Sequence, residues 1–347
     1  MPCARTVRDV HERQQPAAGG GGCGPGGVAS PVVAERAVCV VGSGLIGGSL
    51  LRAAEKAGRT VWGASASEGT AAQACADGFD VTINTDAALR RAADSDALVV
   101  LAVPLPAVPD VLRRVDAIAP TCRLTDAVSV KVAVADAVDR YAPRARYVGG
   151  HPMAGTAESG WAAGDAELFT GAAWVVAADD GLDLDVWRDV AELAWACGAR
   201  VVPAAADEHD LAVARVSHLP HLLAAVLAAV GAGEPGDDLP LALAASSFAD
   251  GTRVAGTRPE LVLAMCEGNR DALLAAVDDA LGRLGVMRGA LASTGGLAAT
   301  VKAGYAGRIR WSATREPLEH RVSLAGADAL AELREIGRLG EIVTGWA

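Results

Sequence analysis

The chain has 347 residues, 51% of them hydrophobic and 21% charged, with a formal net charge of −11. That length suits two domains plus tails, and the acidic balance offers no basic footprint for a nucleic acid or a membrane surface. No uninterrupted apolar run reaches the roughly 20 residues that cross a bilayer. Seven scattered cysteines (3, 23, 39, 75, 122, 197 and 266) form no CxxC pair, against both a disulfide framework and a zinc ribbon. The polar start lacks the apolar stretch of a secretory signal, so a cytoplasmic location is expected.

Residues 1–35 include AAGGGGCGPGGVAS, a tract that cannot bury enough apolar surface to order itself; a disordered tail is expected there. From Arg36 the pattern becomes strand, turn and helix: AVCVV, then GSGLIGG, then an amphipathic stretch to Gly58. A strand at Thr60–Gly63, a helix at Glu68–Asp77, a strand near Val81 and a helix at Leu89–Ala93 lead to a buried strand, Ala97–Val103. Helix Leu105–Ile118, strand Cys122–Asp126, helix Val132–Tyr141 and strand Tyr147–Gly149 follow. Such alternation predicts a parallel sheet covered on both faces. Strand Ala173–Ala177, helix Leu184–Ala196 and strand Arg200–Pro203 complete a domain over 36–204.

After Pro203 strand signals stop. Ala205–Val230, Leu239–Phe248, Leu261–Cys266 and Asp271–Leu291 are Ala/Leu-rich at helical spacing, as in Leu274, Val277, Leu281 and Leu284. An all-helical domain is expected over 205–315, with one further helix, Ala327–Leu339, in a short C-terminal segment at 316–347. The fold class is α/β: a Rossmann-type doubly wound parallel sheet followed by an all-helical second domain.

Gly42-Ser43-Gly44-Leu45-Ile46-Gly47 fits G-x-G-x-x-G with a strand before it and a helix after. The first glycine permits the tight turn and the second lets a pyrophosphate approach the backbone. The third allows close helix–strand packing at an anion-favouring helix N-terminus. A glycine triplet alone also suits a plain structural turn; the context favours a dinucleotide, with Val103 and Pro104 expected beside it. The acid that would bind a ribose 2′-hydroxyl after the second strand is absent from Val61-Trp62-Gly63-Ala64-Ser65-Ala66-Ser67, and Glu68 comes late. Ser65 or Ser67 suits either NAD or NADP, and no arginine stands there for a 2′-phosphate, so the choice stays open.

Four further clusters carry polar chemistry. Asp126-Ala127-Val128-Ser129-Val130-Lys131 sits at the C-terminal end of a strand, the ligand-binding edge of an open parallel sheet, although a helix cap explains it as well. Gly149-Gly150-His151-Pro152-Met153-Ala154-Gly155-Thr156 follows another strand. A lone histidine is more often structural, but glycines and a proline hold the backbone of His151 at this rim. In Ser217-His218-Leu219-Pro220-His221 the two histidines share one helix face, and Pro220 should disturb the helix. No carboxylate or cysteine cluster joins them, so no metal is expected. Thr252-Arg253-Val254-Ala255 holds an arginine whose commonest fate is a plain surface position.

GSGLIGGS, DAVSVK, GGHPMAGTAESG, SHLPH and GTRVAG, in this order over about residues 37–310, resemble the prephenate dehydrogenase family of tyrosine biosynthesis; DEHD at 207–210 fits as well. The resemblance implies a 6-phosphogluconate-dehydrogenase-like architecture and the oxidation of a cyclohexadienol with reduction of NAD (or NADP). Hydride leaves the ring carbon bearing the hydroxyl, the hydroxyl proton leaves, and the ring carboxylate departs as carbon dioxide. By this resemblance His151 accepts or polarises the hydroxyl proton, a task that a neutral imidazole with a pKa near ~6.5 suits, and Ser129 hydrogen-bonds the same hydroxyl. Arg253 offers a planar fork to a substrate carboxylate, and His221 and Ser217 face the same cleft. Lys131 either adds positive charge or positions the Ser129 loop. Thr257 keeps a hydroxyl where some members carry a substrate-binding serine.

Members pair through the helical domain, so a homodimer is expected, with a small-molecule substrate and neither nucleic acid nor membrane as partner. The segment after about residue 315 is shorter than the small regulatory domain that some members append, and tyrosine feedback through such a domain is not expected. Two substrates remain open: prephenate, giving 4-hydroxyphenylpyruvate, and arogenate, giving tyrosine. A nucleotide-binding redox sensor without turnover would not need His151, Ser129 and Arg253 together. The wider β-hydroxyacid dehydrogenase group relies on a lysine on the first long helix of its second domain; here that helix carries Ser217, His218 and His221 and no lysine.

Overall fold

The computed structural model describes residues 36–156, 158–236, 238–293, 295–313 and 316–347; the Gly-rich tail expected over 1–35 lies outside them. The first sheet is built from β1 (Val38–Val41), β2 (Val61–Ala64), β3 (Val81–Thr82), β4 (Leu98–Leu101), β5 (Arg123–Asp126) and β6 (Arg146–Tyr147). All six run parallel in the order β3-β2-β1-β4-β5-β6. Helices α1 (Leu45–Lys56), α2 (Glu68–Ala76), α3 (Thr85–Asp94), α4 (Val108–Ile118) and α5 (Val132–Tyr141) make the crossovers. Side-chain alternation explains the two covered faces: Val38 and Val40 enter one hydrophobic cluster, Cys39 and Val41 the other. The chain reverses direction across the sheet between β1 and β4, which opens a crevice at their C-terminal ends. Burial pushes the Cys39, Cys122 and Cys197 thiols up to about 12, so these cysteines act as small core hydrophobes.

One sheet was expected to continue through residue 203, and here the structure differs. The strand expected at Tyr147–Gly149 ends at Tyr147, and β7 (Gly150–Pro152) begins a second sheet with β8 (Ala173–Ala177) and β9 (Arg200–Ala204). Gly150 explains the change of partner. A Cβ there would meet the Asp126 carbonyl at 2.7 Å and the Thr125 hydroxyl at 3.0 Å, an approach only glycine allows. Beyond that contact β7 pairs antiparallel with β8. Helix α6 (Leu184–Ala196) joins β8 to the parallel β9.

The helical region holds α7 (Ala206–Val213), a π-helical turn at Ala214–His218, α8 (Leu219–Ala232), α9 (Leu239–Ala242), α10 (Ser246–Thr252), α11 (Pro259–Gly268), α12 (Arg270–Ala292) and α13 (Leu297–Ser312). The widened turn comes just before Pro220, which has no N–H to continue the i→i−4 ladder. The rod from Ala206 to Ala232 is 27 residues long, with a mean hydropathy of 1.5 in its most apolar window, enough by length and composition for a bilayer span. It opens on Asp207-Glu208-His209-Asp210, and His209 and Asp210 are buried against the α/β region. Among the described residues Ala214, Leu273 and Ala276 form the buried cluster here, whereas Leu227, Val230, Leu274, Leu281 and Leu284 face outward. The helical spacing is realised except over Leu239–Phe248, which breaks at residues 243–245 into α9 and α10, and much of the apolar face has no cover in one copy.

The C-terminal segment contains more than the helix expected at Ala327–Leu339. Strand β10 (Glu319–Val322), α14 (Ala329–Arg338) and β11 (Ile342–Trp346) extend the second sheet to the order β10-β11-β9-β8-β7. Strand β11 runs antiparallel to β9, with Val343 opposite Val201. Indole N–H groups fasten it: Trp195 donates to the Val343 carbonyl at 2.9 Å, and Trp346 to the Glu192 carboxylate at 2.9 Å.

Candidate active site

A cleft of about 370 Å³ lies at the C-terminal rim of the first sheet, closed on its far side by α11. At one end the glycine turn supplies Gly44, Leu45 and Ile46, with Val103 and Pro104 from the end of β4 alongside. Gly42 adopts φ +102°, a left-handed conformation that favours glycine, and both Gly42 and Gly47 are too crowded for a Cβ. Gly44 is different: a Cβ there would meet no heavy atom within 4 Å. It is also the N-cap of α1, so no capping side chain occupies the helix's first N–H groups, and no acid stands in its first turn. This open, donor-rich cradle fits a dinucleotide pyrophosphate. Ser43 is turned away, its hydroxyl 3.4 Å from the Ala64 carbonyl, and the buried Ser65 hydroxyl accepts the Ser67 N–H at 3.2 Å.

At the other end Ser129, His151, His221 and Thr257 line the same cleft. His151 is held from two sides. On the strand side, Lys131 is fully buried and donates to the Asp126 carboxylate and the Gly150 carbonyl. Asp126 also accepts from the Val128 N–H at 2.8 Å, the Tyr147 hydroxyl at 2.6 Å and the Gly150 N–H at 3.3 Å. Burial lowers the Lys131 pKa, with Asp126 opposing that shift, and burial raises that of Tyr147 well above its ordinary value. The Lys131 amine is spent inside this network and does not line the cleft.

On the helical side, His151 Nδ1 lies 2.8 Å from His209 Nε2, and His209 Nδ1 lies 2.8 Å from an Asp210 carboxylate oxygen. Asp210 accepts in addition the N–H groups of Lys131 at 2.8 Å and Val132 at 3.0 Å, so it caps α5 from another helix. DEHD was noticed in the sequence without a role; only the fold brings it against His151 and the Ser129 loop. Burial holds the His151 pKa well below 6.5, aided by the neighbouring His209, Lys131 and His218, so the imidazole is neutral near pH 7. His218 is fully buried and pushed down to about 4 by burial, with its Nδ1 3.1 Å from the Asn269 amide nitrogen.

The remaining expected residues fall elsewhere. Ser217 is half-buried on the π-helical turn, and its carbonyl accepts the His221 Nδ1–H at 2.9 Å, which orients that ring. Arg253 is exposed and does not line the cleft, whereas Arg258, at the N-cap of α11, does. Arg258 and Glu158 are the charged lining residues apart from the histidines, and neither is ion-paired among the described residues.

The family model of the prephenate dehydrogenase nucleotide-binding domain matches residues 48–203, and that of the prephenate dehydrogenase dimerization domain matches 205–295. Cyclohexadienyl dehydrogenase of Zymomonas mobilis is 32% identical over 269 residues, covering 75% of this chain and 89% of that protein. The crystal structure of a candidate prephenate dehydrogenase of Corynebacterium glutamicum is 45% identical with a TM-score of 0.85, covering 90% of this chain and 99% of that one. Arogenate dehydrogenase of Synechocystis is 28% identical with a TM-score of 0.66, covering 80% and 100%.

Proposed function

The chain belongs to the prephenate dehydrogenase family, and we propose that it oxidatively decarboxylates prephenate to 4-hydroxyphenylpyruvate in tyrosine biosynthesis, with NAD as hydride acceptor. The observation that carries this reading is a neutral, buried His151 facing the same cleft as Ser129 and as the open glycine cradle. When bound, the nicotinamide supplies the hydride acceptor. The protein's part is to hold the substrate hydroxyl between Ser129 and the bare nitrogen of His151. The imidazole takes the proton as the ring carbon is oxidised. A proton returns to the oxygen when the carboxylate's electron pair enters the ring and carbon dioxide leaves, so no net proton is consumed.

Thr257, His221 and Arg258 line the substrate end; Arg253 is the arginine that matches the family motif, and Ser217 acts through His221. Two substrate carboxylates on a protein of net charge −11 need such a local cation. The Synechocystis relative favours arogenate as a second substrate reading. The outward leucines of α8 and α12, within the region matched by the dimerization model, support a homodimer.

The test mixes purified protein with prephenate or arogenate, each with NAD or NADP, and follows reduced nicotinamide absorbance. Turnover of prephenate with NAD is expected; silence in all four mixtures sinks the enzyme reading. His151→Asn should lose about 100-fold or more in kcat while still binding cofactor.

A further inference from the structure

A base in this position must do more than be neutral. It must offer the correct nitrogen, and it must hold a proton inside a site whose burial disfavours an imidazolium. The groups around His151 answer the first requirement by hydrogen-bond logic. Backbone N–H groups can only donate, so Asp210, which accepts those of Lys131 and Val132, faces them as an acceptor. The oxygen that takes the Lys131 N–H also lies 2.8 Å from His209 Nδ1, which therefore carries the proton between them. If Nδ1 carries the only His209 proton, its Nε2 is bare, and this atom lies 2.8 Å from His151 Nδ1. The proton between that pair then belongs to His151 Nδ1, which leaves Nε2 bare. The two rings meet edge to face, with centroids 5.0 Å apart and planes at 79°. All three residues are buried.

We propose that His209 and Asp210 are positioning residues for the oxidation, forming with His151 a relay that presents Nε2 of His151 as the proton acceptor and holds the acquired proton. The inference rests on the reaction proposed above. As Nε2 takes the substrate proton, the Nδ1 proton of His151 moves onto His209 Nε2, and the cation comes to rest against the Asp210 carboxylate. When the product oxygen is reprotonated the same protons travel back, so the relay ends as it began. The pairing of 209 and 210 has a second effect. One carboxylate both receives the relay and caps α5, so one turn of α7 sets His151 and the Ser129 loop relative to each other.

Two measurements on the full-length protein test this. In the wild type, the nitrogen NMR spectrum of ¹⁵N-histidine-labelled protein, assigned by difference from His151→Asn, should show neutral His151 protonated on Nδ1. Protonation on Nε2 overturns the relay without reference to any substrate. In kinetics, His209→Phe fills the space but neither accepts nor donates, whereas His209→Gln offers an amide oxygen to His151 and an amide N–H to Asp210. His209→Phe should lower kcat about 100-fold with KM within about threefold and abolish the single His151 tautomer. His209→Gln, which orients His151 but cannot take its proton, should restore the single tautomer and recover about a tenth of the wild-type kcat, short of full activity. A kcat for His209→Phe within about threefold of wild type, or equal losses in both variants with the tautomer intact, overturns the inference and leaves the proposed reaction standing. A wild type inactive on both substrates removes the reaction itself.

Discussion

Gly44 and Gly47 stand three residues apart in one turn and exclude a side chain for opposite reasons. A Cβ on Gly47 would press into the Gly42 carbonyl, while one on Gly44 would enter open space at the mouth of the cleft. Gly44 has φ −75°, which any residue tolerates. Gly44→Ala should therefore keep the wild-type Tm and weaken NAD binding at least about tenfold, or ~1.4 kcal/mol. Gly47→Ala should lose about 1–3 kcal/mol of stability from overpacking. Thermal melts and cofactor titration check the pair; equal Tm losses in both would refute the distinction.

Arg258 and Arg253 divide the question of carboxylate recognition. Arg258 lines the cleft and lacks an ion pair among the described residues, whereas Arg253 matches the family motif and does not line it. Loss of a charged hydrogen bond to a carboxylate costs roughly 1.5–3 kcal/mol. Arg258→Ala should raise KM about tenfold or more with little change in kcat. The same steady-state assay on Arg253→Ala shows which guanidinium meets the substrate, and an unchanged KM for Arg258→Ala excludes it.

Lys131 stabilises its surroundings only as a partner. Lys131→Met should cost about 3–5 kcal/mol, because Asp126 then keeps a buried charge without its cation. Adding Asp126→Asn should recover part of that loss. Urea midpoints for the two single variants and the double variant measure the coupling, and strictly additive losses would contradict it.

Stability should fall in mild acid. His218 is held down to about 4 in the folded chain, and His151 well below 6.5, while the unfolded chain binds both protons near pH ~6.5. Between about pH 6.5 and 4 the unfolded state carries more protons, so stability is complete above that window and declines as pH falls through it. His218 alone contributes up to about 3 kcal/mol. Urea midpoints from about pH 7.5 to 4.5 should show the slope, and His218→Asn should flatten it; an identical slope in the variant removes His218 as its cause.

Much of the first sheet was legible because its strands are short β-branched runs between helices of regular period, and Val132–Tyr141, Ala173–Ala177 and Leu184–Ala196 appear with the boundaries read from sequence. The break after Tyr147 was not legible, since it depends on what Gly150 touches across the sheet. β10 and β11 were hidden because EHRV and IVTGW lack strict alternation and find their partner at β9, far back in the chain. In the site, the sequence motifs singled out Ser129, His151 and His221 and the family resemblance Thr257, and the fold brings all four to one cleft. His209 and Arg258 needed the fold, because an i,i+1 pair and a helix cap carry no periodic signal of what lies opposite them.

The pairing of β11 with β9 has a mechanical consequence. The chain leaves the second sheet at Ala204, builds α7 to α13, and re-enters the same sheet at Glu319. The helical region is thus an insertion pinned at both ends to one slab, with no single linker on which to swing. Two attachments oppose free rotation of the helical region and leave rocking about the line that joins them. Strand β11 is the latch that turns a hinged door into a drawbridge.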